Sequence, residues 1–305
     1  MRRFVISLGG NALGNTPEEQ KALLERVVVP IADLITAGHE VVLVHGNGPQ
    51  VGMINLAFED SSTTPDMPFP ECGAMSQGYI GYHLQNALDN RLRAIGQNKT
   101  VATIVTQVVV DAEDPRFESP SKPIGAFYDY ETSLKLQEEK GYAMKEDSGR
   151  GYRRVVPSPL PTDVVEKAVI NAALKAGHIV ICAGGGWIPV IERNQRYSGV
   201  AAVIDKHFAS AKIAELINAD TLVILTAVEH VCLHFNTANE QVLQQVDPQT
   251  MQDYLAAGHF GQGSMAPKVE ACLMFVSSSK RTAVISSLES AHAAFALETG
   301  TILKS

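Results

Sequence analysis

An α/β fold built on a parallel sheet is what this 305-residue sequence predicts, and three observations predict it. Runs of β-branched and apolar residues alternate along the chain with amphipathic stretches of helical spacing. Several of those runs end in glycines that lead straight into a helical stretch. The repeated order strand, helix, strand is that of right-handed crossover units, which set successive strands parallel and cover the sheet with helices.

The strand predictions are 4–8, 41–44, 101–105, 179–182, 221–226 and 282–286, and the helices fall near 17–37, 76–94, 162–176, 207–218 and 265–277. The first helix is the best signalled. Thr16 and Glu19 form a capping-box pattern, Pro17 suits the first turn and Gly38 closes the end. Leu23, Leu24, Val27, Val28, Ile31, Leu34 and Ile35 recur at helical spacing, with Pro30 expected to bend the axis. Residues 111–155 break the rhythm. Pro115, Pro120, Pro123 and the polar stretch from Glu138 to Arg154 exclude a central strand, so this segment reads as a flap or small subdomain, or else as a plain surface loop. A hairpin is expected at 228–243, where Val231-Cys232-Leu233-His234-Phe235 enters a polar turn.

Four glycine turns carry the chemistry. Phe4-Val5-Ile6-Ser7-Leu8 runs into Gly9-Gly10-Asn11, and Val41-Val42-Leu43-Val44 into His45-Gly46-Asn47-Gly48-Pro49-Gln50. Ile179-Val180-Ile181 enters Gly184-Gly185-Gly186, and Gly261-Gln262-Gly263-Ser264 precedes Lys268. A strand that ends in glycines and feeds a helix lets backbone N–H groups converge on an anion, with the helix N-terminus adding positive potential. One glycine run alone also serves close packing. Several together point to a ligand with more than one anionic group.

Composition narrows the classes. A formal charge of −8 argues against general nucleic-acid binding, which needs clustered Lys and Arg to displace counterions. No run approaches the roughly 18 apolar residues of a membrane span, and the chain enters a strand at once, so a cytoplasmic protein without membrane contact is expected. Cys72, Cys182, Cys232 and Cys272 are dispersed and read as buried thiols, and His39, His45, His83 and His259 show no metal-ligand spacing, so no metal site is assigned. Walker A, GxGxxG, kinase HRD and DFG, and Gly-x-Ser-x-Gly patterns are all missing. Lysines beside turns remain: Lys206 after Asp205, Lys268 at a helix start with Pro267, and Lys122 on an extended segment before Pro123. By local sequence alone Lys206 reads equally well as a surface charge. Converging lysines and amides would meet the demands of phosphoryl transfer, which are chiefly positioning and charge neutralisation.

At these residues the chain closely resembles the carbamate kinases of the amino-acid-kinase superfamily. The resemblance covers nearly the whole sequence: Leu8-Gly9-Gly10-Asn11-Ala12, His45 through Gly52, Met75-Ser76-Gln77-Gly78, Ser121 through Gly125, Arg153 through Pro159, Val203-Ile204-Asp205-Lys206 and Gly263 through Lys268. It implies a three-layer αβα sandwich with a central, mainly parallel eight-stranded sheet. It implies one domain over 1–305, with a carbamoyl-phosphate lobe (1–200, flap 111–155) and a nucleotide lobe (201–305). The implied reaction is reversible phosphoryl transfer between carbamoyl phosphate and ADP, giving ATP and carbamate, with Mg2+ on the nucleotide phosphates, a homodimeric assembly and a place in arginine metabolism.

By the same resemblance Gly9, Gly10 and Asn11 hold the transferred phosphoryl, Gly46, Asn47 and Gly48 face the carbamate side, and Gly185 and Gly186 form a phosphate wall. Lys206 and Lys268 neutralise the transition state, and Lys122 reaches over from the flap. Asp205, Thr226, Val228, Val231, Gly263, Ser264 and Met265 border the nucleotide. Two positions depart from the pattern. His207 stands where the family has an aspartate that orients the lysines, and Trp187 where it has another glycine. His207 keeps two alternatives open: a paralogue acting on another small carboxylate or carbamate analogue, and a catalytically weak nucleotide-binding protein.

Overall fold

A computed structural model describes residues 1–14, 16–147, 149–186, 188–261, 263–277 and 281–304. Eight strands form the central sheet in the order Gln245–Val246, Thr301–Lys304, Thr282–Ser287, Thr221–Thr226, Arg3–Leu8, Glu40–His45, Ile179–Ile181, Val101–Thr103. Neighbours run parallel except Thr282–Ser287 with Thr301–Lys304. The inner strands read as unbroken apolar runs because both faces are covered. Phe4, Ile6 and Leu8 join Leu24, Val27, Ile31 and Leu84 on one side, while Val5, Val42 and Ile224 join Ala209, Ile213, Val269 and Phe275 on the other. That alternation produces the three layers.

Helix Pro17–Thr36 starts as its sequence indicates: Thr16 Oγ1 accepts from the Glu19 N–H at 3.2 Å, and the helix continues through buried Pro30. Helix Phe69–Ala94 begins earlier than its apolar spacing suggests, since Pro70 is accommodated in its first turn. The segment read as one helix from 162 opens as strand Pro161–Val164, paired with Gln107–Val110, and becomes helical only over Lys167–Lys175. A second, four-stranded sheet is formed by Arg196–Gly199, Ile188–Arg193, Gln107–Val110 and Pro161–Val164. Helix Gly48–Glu59 escapes a periodicity reading because its buried face includes Gln50, Gly52 and Asn55.

Within 111–155, strand Lys122–Tyr128 pairs with Tyr152–Val156, which pairs with Met144–Glu146, and helix Tyr130–Lys140 links Lys122–Tyr128 to Met144–Glu146. Asp129 caps that helix through the Thr132 N–H at 2.7 Å, and Gly141 closes it in the left-handed region at φ +65°. The flap meets helix Gly48–Glu59 backbone to backbone. A Cβ on Gly52 would lie 2.2 Å from Gly125 Cα. Val231–Leu233 pairs with Gln241–Leu243, inside the expected hairpin.

Candidate active site

Strands Arg3–Leu8 and Glu40–His45 end beside one another, and the turns that follow them face helix Lys206–Leu216 across a cleft of about 510 Å³. All four glycine turns reach this cleft, through Gly10, through Gly46, Asn47 and Gly48, through Gly185, and through Gly263 and Ser264. The Gly9 N–H is spent on the Leu225 carbonyl at 3.0 Å, which leaves Gly10 to form the wall. Asn47 is fixed by donating Nδ2–H to Ser76 Oγ at 2.7 Å, and Ser76 in turn donates to the Gly73 carbonyl at 2.7 Å. The third turn is pressed onto the second. A Cβ on Gly184 would fall 2.1 Å from His45 Nε2, and one on Gly185, already at φ +76°, would fall 2.2 Å from the Asn47 amide. Gly186 completes that turn. The side chain of Asn11 and the whole of Trp187 lie outside the described residues.

The three lysines predicted from sequence converge here. Lys206 opens its helix against the second turn, where a Cβ on Gly46 would stand 3.1 Å from Nζ. Lys268 Nζ donates to the Ser264 carbonyl at 2.6 Å, and Lys122 Nζ descends from the flap to Asp205 Oδ2 at 2.5 Å. Asp205 is therefore a charge partner as well as an N-cap, its Oδ1 accepting from the His207 N–H at 2.9 Å. Burial opposes ionisation of Asp205, but the Lys122 ammonium, the adjoining His207 and these hydrogen bonds hold its carboxyl well below the usual carboxylate range. Burial presses Lys206 down to about 8, with Lys122 and Lys268 adding repulsion and Asp205 offsetting part of it. Lys268 is lowered in the same way, by burial first and then by Lys122.

Two buried imidazoles adjoin the lysines. His45 donates Nδ1–H to the Gly46 carbonyl at 2.9 Å, and burial keeps it neutral, with a pKa of about 4. His207 is 5% exposed and is held neutral well below its ordinary value, by burial first, with all three lysines adding to the effect.

The flap contributes residues that sequence reasoning gave no role. Arg153 and Arg150 line the cleft with Asp147, so five cationic side chains face two carboxylates. Arg153 donates Nε–H and Nη2–H to the Gly125 carbonyl at 3.2 and 2.9 Å, and Nη1–H to Asp147 Oδ2 at 3.1 Å. Its neighbour Arg154 points the other way, to Asn55 Oδ1 at 3.0 Å and Glu59 Oε1 at 3.4 Å. Alternation along a strand sends adjacent side chains to opposite faces, and that was the available signal. Thr226, Val228, Val231 and Met265 are not among the residues lining this cleft. Thr226 ends its strand at the same sheet edge as Leu8, and the Val231 N–H is held by Thr301 Oγ1 at 2.8 Å. Among the described residues, no group of three or more His, Cys, Asp or Glu is arranged to hold a metal ion.

A sequence profile of the amino acid kinase family matches residues 2–287. The chain belongs to that family. Within it, the carbamate kinase of Clostridium perfringens (strain 13 / Type A) is 50% identical over 309 aligned positions that cover 98% of each chain. The carbamate kinase-like protein YqeA of Escherichia coli (strain K12) is 49% identical, with 99% of each chain covered. The solved structure of carbamate kinase from Giardia lamblia bound to AMP-PNP superposes with a TM-score of 0.92 at 38% identity, covering 99% of this chain and 98% of that one. This amino acid kinase falls among the carbamate kinases in both sequence and fold.

Proposed function

We propose that the protein is a carbamate kinase-type phosphotransferase that moves a phosphoryl group reversibly between carbamoyl phosphate and ADP, giving ATP and carbamate. The observation that carries this reading is the convergence of Lys122, Lys206 and Lys268 on one glycine-walled cleft, in a chain half identical to a carbamate kinase along its full length. Identity at that level favours carbamate over another small carboxylate as acceptor, and favours a working enzyme over a silent binding protein.

The chemistry asks little of the protein beyond alignment and charge. Carbamate already carries an anionic oxygen, so no base has to create the nucleophile. Gly10 and Asn11 hold the moving phosphoryl, with Gly9 anchoring their turn on the Leu225 carbonyl, and Gly46, Asn47 and Gly48 orient the carbamate end, with Gly185 and Gly186 behind. Lys206 and Lys268 offset the repulsion between two anions, and Lys122 leaves Asp205 to cover carbamoyl phosphate. The nucleotide extends from Gly263, Ser264 and Met265 toward Thr226, Val228 and Val231. Mg2+ enters on the nucleotide phosphates as part of the substrate. Residues 1–200 would form the carbamoyl-phosphate lobe and 201–305 the nucleotide lobe.

The nucleotide preference is supported by the AMP-PNP complex of the Giardia lamblia relative. A cytoplasmic, homodimeric enzyme completes the proposal. The unpaired thiols suit a reducing compartment, and no described helix is long and apolar enough to cross a membrane. Light scattering on the purified protein reads the dimer. A coupled assay of ATP formation from ADP and carbamoyl phosphate tests the activity: Mg2+-dependent turnover is expected, and its absence with nucleotide binding intact overturns the reading.

A further inference from the structure

The roles above leave His207 idle, although it lines the cleft beside three lysines. Its Nδ1 is enclosed by protein and has no hydrogen-bond partner. Nε2 is not enclosed in that way, and it belongs to a side chain that lines the cleft. The ring is neutral and therefore carries one N–H and one lone pair. Nδ1 lies nearer the backbone at the start of helix Lys206–Leu216, where Asp205 Oδ1 is already taken by the His207 N–H. A proton on Nδ1 would have no acceptor in reach, a costly buried donor. The proton belongs on Nε2, in a cleft that Lys122, Lys206 and Lys268 also line.

We propose that His207 presents Nε2–H to a non-bridging oxygen of the phosphoryl group in transit between carbamate and ADP, as a neutral donor alongside Lys206 and Lys268. The assignment rests on the phosphotransfer reading above. No proton leaves the ring. The P–O bond to the carbamate oxygen breaks, the bond to the terminal phosphate oxygen of ADP forms, and the imidazole donates throughout. A carboxylate at this position would instead accept from the lysines and repel the phosphoryl. The imidazole replaces an acceptor with a donor and leaves the cleft one charge more positive.

Kinetics of three variants test this, in the direction of ATP formation. His207→Ala is expected to lower kcat and kcat/KM together by roughly 10- to 100-fold, the behaviour of a contact made in the transition state. In His207→Gln the amide reaches the Nε2 position, and the rate should recover to within about 5-fold of the parent. His207→Asp should fall at least as far as the alanine variant. A glutamine variant no faster than alanine, an aspartate variant faster than the parent, or an effect confined to KM or to thermal stability overturns the proposal.

Nitrogen-15 NMR of the imidazole, in the unmodified protein at neutral pH, supplies a readout independent of turnover. The expected form is the neutral Nε2–H tautomer, with its Nε2 resonance moving when ADP and inorganic phosphate are added. An Nδ1–H tautomer, an imidazolium or an unmoved resonance overturns the donor role. Failure of the parent protein to form ATP overturns the phosphotransfer reading, and the NMR result still decides His207.

Discussion

On the floor of the cleft, Lys206 leaves the first turn of a helix packed against glycine turns, whereas Lys122 above it rides on a strand of the flap's own small sheet. The Lys206 side chain is half-buried in the cleft floor, and desolvation loosens its proton to about 8. The Lys122 side chain stays about one-third exposed and keeps its carboxylate partner at 2.5 Å. Fixed glycines and sheet ends position the first, and a backbone contact between Gly52 and Gly125 positions the second. In the proposed reaction such a preset floor would stabilise charge without reorganising. The flap is tied down by polar contacts to Glu59 and Asp205.

The largest effects should come from the floor. Lys206→Met is expected to lower kcat by on the order of 10³, if it removes the proposed charge stabilisation of the moving phosphoryl. Steady-state kinetics with circular dichroism checks that folding survives, and a rate within a few-fold of the parent would remove Lys206 from the reaction. Gly185→Ala comes next. It must adopt a left-handed conformation and push aside the Asn47 amide, so a loss of about 2–3 kcal/mol in denaturant unfolding is expected, with activity lowered further by displacement of the second turn.

The flap should respond more gently. Gly52→Ala places a Cβ against Gly125 and lifts the flap sheet from helix Gly48–Glu59. KM for carbamoyl phosphate should rise about tenfold, with a smaller change in kcat and little change in the melting transition, because the main sheet is untouched. An unchanged KM would show that the contact does not position Lys122.

The same contrast explains what the sequence made legible. Alternating apolar runs and the Thr16 cap disclose the sheet and its first helix, since burial on two faces writes itself directly into composition. Lys206 and Lys268 were visible because turns and a helix start flank them. Helix Gly48–Glu59 stayed hidden because its buried face holds Gln50, Gly52 and Asn55, each placed by close approach or by the site. Strand Pro161–Val164 was absorbed into a helix because four residues are too few for period two to outvote the apolar spacing that follows. Arg153 was in view as half of an Arg-Arg pair, but its bond to the Gly125 carbonyl depends on a flap sheet whose register no local pattern fixes. The Asp205–Lys122 pair joins residues 83 apart in sequence, and only the fold shows it.

The smallest effect, and the one that most sharpens the contrast, lies in pH. In the proposed role Lys206 has to be protonated, so kcat/KM, which reports the free enzyme, should fall as pH rises through about 8. Bound anions favour the ammonium, so the alkaline limb of kcat should sit higher. Stability runs the other way. The lysine is lowered in the fold from 10.5 to about 8, so the unfolded chain binds the extra proton between those values, and stability should rise with pH across that window. His45, lowered from 6.5 to about 4, extends the same sign to acid: the unfolded chain is protonated first, and on the order of 3 kcal/mol should be lost as pH falls from 6.5 toward 4. Asp205→Asn keeps a side chain able to cap the helix but removes the charge that supports Lys206, so the alkaline limb of kcat/KM should move below 8. An alkaline limb that stays near 10 in the parent protein would show that the floor lysine is better solvated than its enclosure requires. A limb near 8 that ignores Asp205→Asn would assign the titration to a group other than Lys206.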